Sequence, residues 1–185
     1  GFLRNPLAEP GIIGVSGAAA LGAVLVFYSG LAATSSILLP AGGITAALAV
    51  GALLFAVAGR GLSTTTLILA GVAINSLAGA LISLALNLSP NPYAATEIMF
   101  WLMGSLADRS LAHVGLVLVP MAAGWALMLS TGRVLDALTL GEDTARTLGF
   151  GMRRTRAVVV AGVALAVGSA TAIAGVIGFV GLVVP

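Results

Sequence analysis

The sequence predicts an all-α protein, a polytopic bundle of transmembrane helices, and three observations carry that expectation. Of the 185 residues, 59% are hydrophobic and only 8% are charged, where a soluble domain carries roughly a quarter charged residues. Such depletion leaves too little polar surface to face water on every side, whereas lipid accepts apolar surface without penalty. Five apolar stretches, near residues 11–31, 37–58, 64–88, 112–130 and 157–177, are long enough or almost long enough to cross a hydrocarbon core. That crossing takes about 20 residues at about 1.5 Å each. Finally, the arginines fall between these stretches in an alternating pattern.

That pattern sets the orientation. Arg4 precedes the first stretch, Arg60 lies between the second and third, and five of the eight arginines lie from Arg133 to Arg156, between the fourth and fifth. In an up-and-down chain these three connections share one side, and the positive-inside rule makes that side the cytoplasm. The opposite connections, 29–36 and 89–111, contain only Arg109. The longer one carries the turn signal Pro90, Asn91, Pro92 and then an apolar run, Ile98 to Met103, too short to span. A short helix at the outer surface is expected there.

The same composition excludes several classes. The net charge of +2 arises from a local cluster between apolar spans, not from the basic, aromatic-bearing face of a nucleic-acid binder, so no nucleic-acid partner is expected. No cysteine is present and His113 is the only histidine, so neither a thiolate nor a multi-histidine metal site can form. His113 is expected at a membrane interface. With no lysine there is no phosphate loop, and no span holds paired carboxylates. An enzyme reading has no residues to stand on, and neither catalytic nor metal-ligating residues are expected. A secondary transporter would carry ionisable groups inside its spans, and a membrane scaffold would need no cytoplasmic docking helix.

Five strings carry local information. RNPLAEPGIIGVSGAA, Arg4 to Ala19, brackets a charged turn between two prolines that break helix at Asn5 and near Glu9. GRGLSTTT, Gly59 to Thr66, offers Ser63 as the N-cap of the third span and leaves Thr64, Thr65 and Thr66 beyond that need. Those hydroxyls either line a polar pathway or bond to their own helix carbonyls. Gly71, Asn75, Gly79, Ser83 and Asn87 recur every fourth residue in the third span, a stripe that drifts about 40° per step as a crossing partner would. Asn75 is expected to act between helices more than on a substrate.

The fourth string, RVLDALTLGEDTARTLGFGMRRTR, runs from Arg133 to Arg156. Thr139 followed by Glu142 fits a capping box, and Gly149 fits the left-handed residue that ends a helix, so the spacing predicts a two-turn helix from Leu140 to Leu148. A helix that short must dock, either within its own loop or in a partner's groove. The fifth, AGVIGFVGLVVP from Ala174 to Pro185, has Gly175, Gly178 and Gly181 at every third residue, which predicts a helix break or a very close contact.

Together RNPLAEPGIIGVSGAA, LSTTTLILAGVAI (Leu62 to Ile74), WLMGSLA (Trp101 to Ala107), LGEDTARTLG (Leu140 to Gly149) and GFVGLVVP (Gly178 to Pro185) resemble the FecCD-type permeases. These are membrane subunits of ABC importers for iron-siderophores, haem and cobalamin. The resemblance implies a type II importer permease of ten helices, multi-pass in the cytoplasmic (inner) membrane of a bacterium and surrounded by lipid. It further implies a dimer with a second copy or a homologue, two ABC ATPase subunits, and a periplasmic or lipid-anchored substrate-binding protein. Cofactors are expected on none of this chain's residues, since ATP and magnesium belong to the ATPase partners. Residues 1–185 are then a single transmembrane permease domain, a fragment that begins at Gly1 without an initiator Met and lacks helices at both ends. The LGEDTARTLG loop corresponds to the coupling helices of such permeases, so Glu142, Ala145, Arg146, Leu148 and Gly149 are the implied ATPase-coupling residues. Asn5, Leu7, Ser63, Thr64 and Thr65 are the implied gate and pathway residues.

Overall fold

The computed structural model describes residues 10–35, 37–57, 64–89, 92–107 and 109–177. Among them every regular element is helical. The α-helices are α1 (Val15–Tyr28), α2 (Leu38–Val57), α3 (Thr64–Asn87), α4 (Pro92–Leu102), α5 (Leu111–Leu129), α6 (Gly132–Thr139), α7 (Glu142–Thr147) and α8 (Met152–Ala174). Tight 3-10 turns precede and follow α1, at Pro10–Ile13 and Leu31–Ala33.

Among the described residues four helices, α2, α3, α5 and α8, are long and apolar enough to cross a bilayer, as four of the five expected spans require. The first expected span is shorter than the apolar stretch that announced it. The stretch covers 11–31, but α1 has 14 residues, about 21 Å of helix against a hydrocarbon core of about 30 Å. Glycines bound it. Gly14 has φ 78 and Gly30 has φ 75, left-handed conformations that a helix cannot contain.

Although short, α1 is the centre of the bundle. Val15, Ala18, Ala19, Ala20, Gly22, Ala23 and Val24 are buried because α2, α3 and α8 all pack on it. Small residues make this possible: lipid supplies no hydrophobic drive between helices, so association relies on close packing of backbones. A Cβ built on Gly22 of α1 would run into the carbonyl oxygen of Gly42 on α2, and into the Cβ of Ala46 at 2.6 Å. On the far side of α8, a Cβ at Gly124 of α5 would lie 2.7 Å from the carbonyl oxygen of Gly162. The order across the bundle is therefore α5, α8, the α1–α2 pair, and α3.

Contacts at the helix ends agree with the grouping of the connections into two ends. At one end Tyr28 Oη donates to the carbonyl of Leu88 at 3.2 Å, and Ser105 N–H donates to the carbonyl of Ala174 at 2.7 Å. At the other, the Arg153 guanidinium lies 5.3 Å from the centroid of the Phe55 ring, a cation–π distance. That second end bears the arginines and is the inner end on the positive-inside expectation, the Tyr28 end being the outer one.

The outer end holds the expected short helix, which begins earlier than its apolar run. α4 starts at Pro92, whose fixed φ suits a first helical position. Ile98 and Trp101 are buried against Ala23, Val24 and Ala85, and the Phe27 ring meets Trp101 edge-on with centroids 5.8 Å apart. Just beyond, two chain reversals lock together. Gly104 (φ 72) and Gly175 (φ 75) both take positive-φ conformations that favour glycine, and a Cβ on Gly175 would overlap the carbonyl oxygen of Trp101. The expected break at Gly175 is thus both a helix end and a close backbone contact. Gly178 and Gly181 lie outside the described residues.

Candidate functional site at the inner end

The inner connection between α5 and α8 folds as two short helices at a sharp corner. α6 had no counterpart in the sequence reading. Its signal is the i, i+3, i+4 set of Val134, Ala137 and Leu138, which face inward, while Arg133, Asp136 and Thr139 are exposed. α7 begins at Glu142, two residues after the predicted start. The predicted Thr139–Glu142 capping box does not form. Thr139 closes α6 instead, with its Oγ1 donating to the carbonyl of Asp136 at 2.6 Å. The turn to α7 is made by Gly141 at φ 110, and a box spanning Thr139 to Glu142 is incompatible with that corner.

The predicted end of α7 is present. Gly149 has φ 86, its N–H donates to the carbonyl of Arg146 at 2.9 Å, and Phe150 N–H donates to the carbonyl of Ala145 at 3.2 Å. This pair of bonds is a Schellman motif. Six residues of helix are not stable alone, and α7 is held by a small core of Ala137, Ala145 and Met152 with Val134, Leu138 and Phe150 packed on it.

The five residues implied in coupling divide by direction. Ala145 is completely buried. Arg146, Leu148 and Gly149 are exposed, as are the flanking Leu140, Asp143 and Thr147. Glu142 lies between these groups: its Oε1 accepts from Arg146 Nη2 and from Arg156 Nη2, each at 2.9 Å. The Arg146 arm is a solvated i, i+4 pair worth a few tenths, about 0.2–0.5 kcal/mol. The Arg156 arm is less screened, because that side chain is 16% exposed. An acid in the first turn and a base in the last also match the helix dipole.

The implied gate is described only in part. Asn5, Leu7 and Ser63 lie outside the described residues, Thr64 is the first residue of α3, and Thr65 is exposed at the inner end of that helix. The α3 stripe splits in two. Gly71 is buried against α1 and Asn75, itself exposed, reaches α1 at its edge: a Cβ on Gly14 would sit 2.9 Å from the Gly71 carbonyl oxygen and one on Gly17 would overlap Asn75 Oδ1. Gly79, Ser83 and Asn87 are exposed, and Asn87 Nδ2 donates to the Ser83 carbonyl of its own helix at 2.8 Å. The rotation per step carries the stripe off α1 within two turns.

Sequence reasoning also missed the role of His113. Its Nδ1 accepts from the backbone N–H of Ser110 at 3.2 Å and lies 2.9 Å from Ser110 Oγ, so the ring caps the outer end of α5. No group of three or more His, Cys, Asp or Glu suited to a metal occurs among the described residues.

Comparison with known proteins accords with this architecture. The vitamin B12 import system permease protein BtuC of Vibrio cholerae is 40% identical over 187 residues, covering 100% of this chain and 55% of the relative. The ferric enterobactin transport system permease protein FepD of Escherichia coli is 39% identical over 186 residues, covering 98% and 54%. The ABC transporter permease protein YvrB of Bacillus subtilis is 40% identical over 191 residues, covering 100% and 53%. The chain thus spans about half the length of these relatives. A solved structure described as an inward-facing conformation of an ABC transporter, assigned to the metal-chelate type, superposes with a TM-score of 0.85 at 33% identity. The match covers 98% of this chain and 58% of that one. The FecCD transport family matches over residues 1–185, and this polytopic membrane chain belongs to that family.

Proposed function

We propose that the chain is the central part of the permease subunit of a bacterial ABC importer, which carries a large iron chelate, a ferric siderophore or haem, across the cytoplasmic membrane. Cobalamin is the second cargo, because relatives named for vitamin B12 import and for ferric enterobactin transport are equally similar to this chain. The observation that carries the proposal is the α6–α7 corner, a docked pair of helices that presents Leu140 and Leu148 to water at the arginine-rich end. An exposed apolar knob on a short, braced helix is what a partner's groove receives. The partner is a cytoplasmic ATPase subunit, which supplies ATP and magnesium. A substrate-binding protein delivers cargo at the outer end, and a second permease copy or homologue completes the pathway. The permease itself makes and breaks no covalent bonds.

The test uses the full-length permease expressed with its ATPase. Leu148→Asp is expected to cut ATPase co-purification at least about tenfold, the result of removing one anchor worth about 1.4 kcal/mol or more, while the permease stays folded and in the membrane. Undiminished co-purification would remove α7 as the docking element. Identifying the ligand retained by the cognate binding protein decides between iron chelate and cobalamin.

Thr65 supports the gate assignment by its position, exposed at the inner mouth of α3. Thr65→Trp is expected to reduce uptake about tenfold or more with the permease–ATPase complex still assembled, since a steric block acts on passage and not on docking. Normal uptake by that variant would place the pathway elsewhere.

A further inference from the structure

Both ends of α7 are glycine turns, Gly141 at φ 110 and Gly149 at φ 86, and Gly141 contributes no side-chain cap. Within the helix, only Ala145 is buried, so a single methyl group fixes it to the core of Ala137 and Met152. One methyl resists translation but scarcely resists rotation about its own contact. The second attachment is Glu142. One carboxylate oxygen receives both Arg146 from α7 itself and Arg156 from the second turn of α8. Arg156 is the better placed of the two to bear load, because its side chain is mostly buried whereas that of Arg146 is mostly exposed. α8, in turn, packs on α5, α2 and α1, and its outer end is locked to the α4 turn through Ser105 and Ala174.

We infer that Glu142 is a positioning residue, not a partner contact: it fastens α7 to α8 through Arg156, so that a push on the exposed face of α7 is delivered to α8. Leu140, Asp143, Thr147 and Leu148 form the surface that is pushed, and the Glu142–Arg156 joint stops α7 from swivelling between its two glycines. The inference deepens the proposed ATPase-coupled function and rests on it for the origin of the push. The joint itself is a property of the permease alone.

Two measurements separate those levels. A spin label at Thr147→Cys, in the full-length permease with other cysteines replaced and before any ATPase is added, reports the mobility of α7. Glu142→Gln and Arg156→Gln are each expected to shift the line shape to a markedly more mobile component, and the double variant to shift it by clearly less than the sum of the two single changes, because both remove the Glu142–Arg156 pair. Arg146→Gln is expected to change it little. An unchanged line shape in Glu142→Gln, or additive effects in the double variant, would overturn the joint whatever the ATPase does. In the permease–ATPase complex, Glu142→Gln is expected to lower transport per ATP hydrolysed about fivefold, with ATPase retention within twofold of the parent. Loss of ATPase retention on Glu142→Gln would make the residue a partner contact and overturn the inference. Failure of the parent permease to retain an ATPase at all would instead sink the proposed function.

Discussion

Gly175→Ala is expected to destabilise the permease by about 3 kcal/mol, through two costs that arise at the same atom. Any Cβ at φ 75 and ψ −167 sits in a backbone region essentially restricted to glycine, at a cost of about 1–3 kcal/mol. The same Cβ would overlap the carbonyl oxygen of Trp101 and lie 2.9 Å from the Gly104 Cα, an overpacking cost of about 1–3 kcal/mol. Neither obstacle is a flexible side-chain end, so relief requires that the α4 turn and the end of α8 separate. That separation would weaken the Ser105 to Ala174 hydrogen bond and loosen Trp101 from its place beside Phe27. The measurement is the unfolding midpoint of the full-length permease in detergent, with Trp fluorescence as a local probe. A shift equivalent to less than about 0.5 kcal/mol, the scale of ordinary surface substitutions, would show that the two turns do not brace each other.

The second large effect is expected at the crossing of α1 and α2. Gly22→Ala places a methyl where the Gly42 carbonyl and Ala46 already stand, and Gly22→Leu forces the helices apart. A graded loss is expected, about 1–3 kcal/mol for alanine and more for leucine. Since α1 also holds α3 and α8, a displaced α1 disturbs the whole bundle and not one pair. The series is read as the folded, monodisperse fraction after extraction. Equal yields for all three residues would mean that α1 and α2 do not touch at Gly22.

Features that depend on local composition are legible in the sequence. The four long spans, their alternation, the stop at Gly149 and the break at Gly175 each follow from residues acting within a few positions of themselves. Features that depend on a neighbour are not. Thr139 and Glu142 have the spacing of a capping box, but the corner at Gly141 gives Thr139 to the preceding helix, and no sequence spacing reports a corner. The length of α1 was overestimated because the apolar residues beyond Gly14 and Tyr28 belong to tight turns, which hydropathy does not distinguish from helix. The spacing predicts Glu142 as the second half of the capping box, whereas its carboxylate pairs with Arg156 in the next helix. That so short a helix must dock is legible from its length, but whether it docks within its own loop or in a partner's groove is not. Ala145 docks inward, and Leu140 and Leu148 are left exposed for the partner proposed above.

The brevity of α1 bears on how the protein is made. A 14-residue helix, about 21 Å long, is a weak candidate for independent partition into the bilayer from the insertion machinery, and the turns on either side of it would leave backbone polar groups facing lipid. Those groups are tolerable only once other helices enclose them. α2, with 20 residues, can enter alone, and its Gly42 offers Gly22 a surface to close on. Biogenesis of this region is therefore expected to be cooperative, with α1 acquiring its membrane depth from the helices synthesised after it.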